Sequence, residues 1–380
     1  MNKNKNIVIC VWLVILHAFF TSINAWHCNL ISVGDACSAH PEISYLHCHD
    51  AIPFEYQKLP VVEDHFLHPY QGFFHRTFIL NIPNGQVLGS EGYVLVDDRS
   101  IYELIWQNCY LHAWVLESAQ RNPIVKVQGK VAVIAQWGYF FYYHWLAEAL
   151  GRLALLELHG VEYDYLYIPA GVPYIKQSLE LWGVDSAKII EAPHDQILQA
   201  DELIVPSLVA SVHANGSPRL VHYMPQYLIK YIKDKLMHSV DFASNPFGQN
   251  KKIFISRKDA GARKMLNEDD VFALFEAQGF EKYVLSSLSL QQQMQLFNSA
   301  DIVVGALGSG MANLLFCKDD VRVIEIFQAR RDCTIYFLCQ TLGLSYTCIK
   351  TQDFIDANDG QYDTIVSLEV IEKFITDQNL

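Results

Sequence analysis

Between residues 252 and 327, short apolar runs of strand length alternate with amphipathic runs of helix length, and glycines mark the joints. Residues 252–256, 283–285, 301–304 and 321–327 read as strands, the last two β-branched and apolar enough to be buried on both faces. Residues 268–277 read as a helix with Val271, Leu274 and Phe275 on one stripe and Asn267 as its cap. Ser289 followed three residues later by Gln292 is a capping box for a second helix running to Ala300. Gly305, Gly308 and Gly310 let the chain turn tightly into a third helix through Asn313 to Phe316. Strictly alternating elements of this kind leave little choice but a parallel sheet with right-handed crossovers.

In such a sheet, ligands sit at the carboxyl ends of the strands. There a glycine-rich turn feeding a helix offers backbone N–H groups and a positive dipole end to phosphate. Arg257 directly follows its strand and Arg263 lies in the next loop, so both guanidinium groups can reach that rim and grip phosphate oxygens. Glu325, late in its strand, has the chemistry to accept ribose hydroxyls. Singly, each signal has an ordinary reading, a turn or a surface arginine; their ordered occurrence points to a nucleotide diphosphate.

The set Phe254-Ile255-Ser256-Arg257, Arg263, Asn267-Glu268-Asp269, Gly279-Phe280, Gln293, Ala300-Asp301, Gly305, Gly308, Gly310, Asn313, Phe316 and Val323-Ile324-Glu325 resembles the donor half of the family 61 glycosyltransferases. Upstream, Tyr142-Tyr143-His144-Trp145-Leu146 through Arg152 resembles that family's second block, and the likeness covers residues 131–350. It implies a GT-B architecture, two Rossmann-like β/α/β domains facing a cleft, and an inverting transfer from a nucleotide sugar. Ser256, Arg257, Arg263, Asn267, Gly308, Ser309, Gly310, Asn313 and Glu325 would then bind the donor. The nucleotide sugar enters as co-substrate, with no cofactor and no metal expected. Many family members carry His-Gly-Ala-Gly where this chain has Leu307-Gly308-Ser309-Gly310, so a histidine able to contact phosphate or sugar is absent.

The preceding region reads as the partner domain. Residues 130–136, 163–168, 187–191 and 202–205 are strand-like, and 142–159, 173–182 and 219–237 are helical, the second starting on Pro173. The resulting organisation is a signal peptide or signal anchor over 1–25, a β-rich extension containing Cys and His over 26–129, an acceptor-side domain over 130–240, a donor domain over 251–350 and a C-terminal segment over 351–380. Residues 241–250 have linker composition, and closure across that hinge is expected. His144 and Glu148 stand four apart on one helix face, so the carboxylate can orient the imidazole for base catalysis; a buried structural histidine is the ordinary alternative. Tyr142 and Trp145 offer faces suited to sugar stacking, though aromatic residues at helical spacing more often pack in the core.

A net charge of −13 and the lack of any Lys or Arg run exclude a nucleic-acid surface. Lys3 and Lys5 before the apolar run 7–20, with Ala25 at a possible cleavage point, have the layout of a signal peptide; an anchor is the alternative, giving membrane association through the N-terminus. Export would make Cys28, Cys37, Cys48 and Cys109 disulfide candidates, with at least one oxidised. Zinc on Cys28, Cys37, His47 and Cys48 is the weaker rival, for want of a Cys-x-x-Cys pair. Asn215-Gly216-Ser217 is a glycosylation sequon if the domain enters a secretory lumen; in a bacterium the domain would face the cytoplasm.

The function expected is a glycosyltransferase that moves a sugar, uridine-linked, onto a glycan or glycoprotein hydroxyl. The rival is a non-catalytic sugar- or nucleotide-binding protein that keeps the fold. A dehydrogenase fits less well, because the glycine spacing departs from Gly-x-Gly-x-x-Gly.

Overall fold

The computed structural model describes residues 29–57, 70–106, 110–193, 195–214, 217–220, 223–327, 333–350 and 363–380. The apolar run before Ala25, Cys28, Cys109 and Asn215 lie outside the described residues. Among the described residues no helix is long and apolar enough to cross a membrane. No group of three or more His, Cys, Asp or Glu among them could hold a metal, and Cys37 and Cys48 are thiols.

The C-terminal unit is the parallel sheet that the alternation demands. Its strands, Lys251–Ile255, Glu281–Tyr283, Ala300–Ala306, Arg322–Phe327 and Ser345–Lys350, stand in the spatial order second, first, third, fourth, fifth. All four pairings are parallel. One face, with Phe254, Val304 and Ile324, packs under the helices Glu268–Glu276 and Leu368–Gln378 through Val271, Phe275 and Ile371. The other face, with Ile253, Val303 and Val323, packs against Met294, Phe297, Leu314 and Cys339. The order reverses between Lys251–Ile255 and Ala300–Ala306, which opens a crevice at their carboxyl ends.

The capping box forms as read: the Ser289 hydroxyl accepts from the Gln292 N–H, and the Gln292 side chain accepts from the Ser289 N–H. Asn267 does stand at the start of its helix, but its side chain makes no cap bond and instead exchanges two hydrogen bonds with the Val366 backbone, pinning the C-terminal segment.

The N-terminal unit is a ten-stranded mixed sheet. Val125–Val133, Tyr165–Ile168, Ile189–Glu191 and Ile197–Pro206 form its parallel part. Thr77–Pro83 and Gln86–Leu88 then pair antiparallel with Ile197–Pro206, and Tyr93–Val96, Arg99–Ile101 and Leu30–Ile31 extend the same sheet. The stretch read as an extension is thus woven into the same sheet as residues 125–206; strand periodicity shows that a strand exists, not which strand it pairs with. The helix read over 219–237 begins later, at Gln226–His238, because Pro225 lies ahead of it and residues 217–220 form a strand instead.

One apolar cluster joins the units, with Leu228, Ile232 and Leu236 of Gln226–His238 beside Leu314, Leu315 and Cys339. The linker is tied down too: Gln295 Nε2 donates to the Asp241 carbonyl at 2.6 Å. A joint with a shared apolar core is far stiffer than a polar hinge.

Candidate active site

After Val125–Val133 the chain passes Gln136, Trp137 and Gly138 and enters a wide π-helical turn, His144–Ala149, before continuing as the α-helix Leu150–Leu158. The sequence reads as one regular helix there; instead Trp145, Leu146, Ala147, Glu148 and Ala149 are all buried, and the widened turn accommodates them. Such turns recur at functional sites. Gly138 has φ 85°, and a Cβ there would lie 3.2–3.4 Å from the His144 side chain, so glycine both permits the turn and makes room for the imidazole.

His144 Nδ1 meets Glu148 Oε1 at 2.7 Å, the pairing their spacing suggested. The other carboxylate oxygen accepts from Trp106 Nε1 at 2.9 Å and Gln136 Nε2 at 3.0 Å. Glu148 is 1% exposed, and its charge is compensated by this ring of N–H groups. A carboxylate can only accept at this contact, so the pair forms a hydrogen bond when Nδ1 is the protonated nitrogen of the ring.

Rings other than Tyr142 and Trp145 form the aromatic wall. Trp145 is wholly buried and donates to Ser178 Oγ at 2.7 Å, so it belongs to the core. The Tyr142 hydroxyl donates to Asn313 Oδ1 at 2.8 Å, across the two units. The rings at the cleft are Trp106, Trp137, Phe141 and Tyr143. Trp106 and Trp137 stack at 4.6 Å, and Trp106 meets His144 edge-on at 5.2 Å. The dense aromatic run from Trp137 to Phe141 was the available signal for two of them; nothing local marks Trp106.

On the opposite wall, the buried Glu268 holds the end of Lys251–Ile255 in shape by accepting from Ser256 Oγ at 2.6 Å and the Arg257 N–H at 2.7 Å. Arg257 donates from Nε to the Arg263 carbonyl at 2.9 Å and from Nη2 to the Ala262 carbonyl at 2.7 Å. Arg263 itself takes the left-handed conformation, φ 57°. A methyl on Gly308 would overlap Arg257 Nη1, so this glycine is needed for the close approach of the guanidinium. Burial pulls the Arg257 pKa down, opposed by the nearby Asp259, Glu268 and Asp363.

Between the walls lies a cleft of about 320 Å³, lined by Trp106, Trp137 and His144 on one side and Arg263, Leu307, Gly308, Ser309 and Thr334 on the other. The tight helix Ser309–Phe316 and the helix Thr334–Leu342 both begin at this cleft, and the first N–H groups of a helix have no partner within it. The geometry thus brings His144, Arg263, Gly308 and Ser309 to one cleft, with Glu148 behind His144; Arg257, expected to reach the rim, is instead tied to the Ala262 and Arg263 carbonyls beneath Gly308. The remaining candidates lie behind this surface. Asn313 is fully buried, donating to Gln293 Oε1 and the Gly310 carbonyl. Gly310 packs on Leu285, Ser256 is bound to Glu268 and Asn267 to Val366. Glu325 is fully buried at mid-sheet, accepting the Tyr346 hydroxyl at 2.6 Å.

A glycine-rich turn at a helix start thus faces a His–carboxylate pair across one cleft. Residues 142–324 match the family model Glycosyltransferase 61, the family whose motifs the sequence resembles. The EGF domain-specific O-linked N-acetylglucosamine transferase of Drosophila melanogaster is 23% identical over 137 residues, covering 35% of this chain and 26% of the relative. Its Bos taurus namesake is 24% identical over 145 residues, covering 36% of this chain and 28% of the relative, and that of Xenopus laevis 24% over 151 residues, covering 38% and 29%. The match therefore spans under a third of each relative's length.

Proposed function

We propose that the protein is an inverting glycosyltransferase of GT-B type that moves a sugar from a nucleotide diphosphate, uridine-linked, to a hydroxyl of a glycoprotein or glycan. The observation that carries this is the 2.7 Å His144–Glu148 pair across one cleft from Arg263 and the helix start at Gly308 and Ser309. His144 Nε2 takes the acceptor proton as the hydroxyl attacks the anomeric carbon, a contribution of about 10²–10⁴ in rate. The departing diphosphate gains charge as the glycosidic bond breaks, and Arg263 with the N–H groups of the helix start receive it. Transfer by this route calls on no metal. Because the relatives are named N-acetylglucosamine transferases acting on EGF domains, UDP-N-acetylglucosamine and a protein hydroxyl are the first donor and acceptor to test. A protein acceptor of that kind, with the basic-flanked apolar N-terminal run, favours the secretory pathway.

A screen of nucleotide sugars for hydrolysis and transfer, with binding of nucleotide diphosphates by titration calorimetry, tests the proposal. Turnover by the unaltered protein supports it; binding without turnover of any donor supports the rival, a non-catalytic sugar- or nucleotide-binding protein. That rival rests on Leu307, which puts an apolar side chain on the cleft where many family members carry histidine. If the variant loop is neutral, Leu307→His leaves turnover within about tenfold, since the backbone and arginines carry the phosphate; if the loop has silenced the site, the same change creates turnover.

A further inference from the structure

We propose that Trp106 and Gln136 are positioning residues that fix the tautomer and orientation of His144 by holding Glu148 from behind. The inference rests on the role given above to His144, and it draws on residues lying before the family-matched segment 142–324.

The argument begins with Glu148. Its carboxylate lies in a nearly dry environment at 1% exposure, where an anion persists only with donors around it. His144 supplies one, from the same helical turn, while Trp106 and Gln136 supply two from separate segments onto the second oxygen. Neither of those two can change roles. An indole nitrogen only donates, and turning the Gln136 amide over would set its oxygen against a carboxylate oxygen. With two donors fixed on Oε2, the carboxylate is held as an acceptor and its plane is set. Oε1 is then presented to Nδ1, which must carry the proton. The ring is further confined by Gly138 on one side and by the edge-on indole of Trp106 at 5.2 Å. Trp106 is itself clamped by its stack on Trp137, so its N–H is aimed by packing rather than by solvent. Such supporting partners hold a basic nitrogen in place at no cost at the moment of reaction.

The test needs no substrate. Uniform ¹⁵N-histidine labelling with long-range proton–nitrogen correlation, and the His144→Ala spectrum to assign the signal, reads the tautomer of His144 directly. The unaltered protein is expected to give a single form protonated at Nδ1. Trp106→Phe keeps an aromatic ring beside Trp137 and removes the N–H; Gln136→Met keeps the length and removes the amide. Each is expected to shift His144 towards a mixture of tautomers, and the pair of changes further. A His144 signal unchanged in both single variants and in the double variant, in protein of native circular dichroism, overturns the positioning role whatever the donor proves to be. Turnover supplies the second readout: each change should lower kcat about ten- to a hundredfold with KM for the donor retained. In a His144→Ala background neither should lower it further, whereas a purely structural role predicts additive losses. Full activity of His144→Ala would instead remove the base assignment itself, so the two ideas fail separately.

Discussion

Gly308→Ala gives the sharpest test of the donor wall. Gly308 has φ −174°, extended backbone open to any residue, so alanine meets no backbone strain. The whole effect must come from the added methyl, and that methyl would overlap Arg257 Nη1. The guanidinium must move aside, and that movement works against its bonds to the Arg263 and Ala262 carbonyls at 2.9 and 2.7 Å. A hydrogen bond from a charged donor is worth about 1.5–3 kcal/mol. Losing one releases the loop that presents Arg263 to the cleft, so UDP affinity should fall about ten- to a hundredfold. Titration calorimetry with UDP measures this, with circular dichroism to check folding. The mechanism also predicts non-additivity: once Arg257→Ala has removed the obstructing side chain, Gly308→Ala should cost less than about twofold. Wild-type affinity in Gly308→Ala, or its full cost persisting beside Arg257→Ala, would refute the reasoning.

Three further outcomes are expected. His144→Ala should lower kcat by about 10²–10⁴ while UDP affinity stays unchanged, as steady-state kinetics and calorimetry together would establish. Asn313→Ala strips the partners of Tyr142, Gln293 and the Gly310 carbonyl at a buried joint between the units, and urea denaturation should record a loss of about 2–3 kcal/mol. Asp269 is held between Lys258 and Lys282, whose hydrogen bonds lower its pKa to about 2. A depressed carboxyl stabilises the folded state above its unfolded pKa of about 4 and loses that contribution as pH falls towards 2. Asp269→Asn should therefore flatten the stability profile only across that acid window, followed by chemical denaturation at stepped pH.

Local signals were reliable where one element decides the outcome. Ser289 and Gln292 are neighbours on the first turn of their helix, so the capping box was readable from spacing alone. The four-residue interval between His144 and Glu148 likewise put the pair in reach. Where a side chain answers to a distant segment, local reading fell short. Asn267 has the chemistry of a cap, yet Val366 lies against it and takes both its polar atoms.

The amino-acid sequence by itself determined the parallel α/β character of the C-terminal unit and the glycine-rich turn that feeds its tight helix, because glycine placement and hydrophobic period act over a few residues. Only the tertiary structure decided which residues share the cleft. Strand pairing brings residues 77–101 into the N-terminal sheet, and close packing brings Arg257 beneath Gly308 and Trp106 behind Glu148. Those meetings join positions up to 51 residues apart in the case of Gly308 and 42 in that of Glu148, so each rests on the folding of everything between them and on no pattern within a single element.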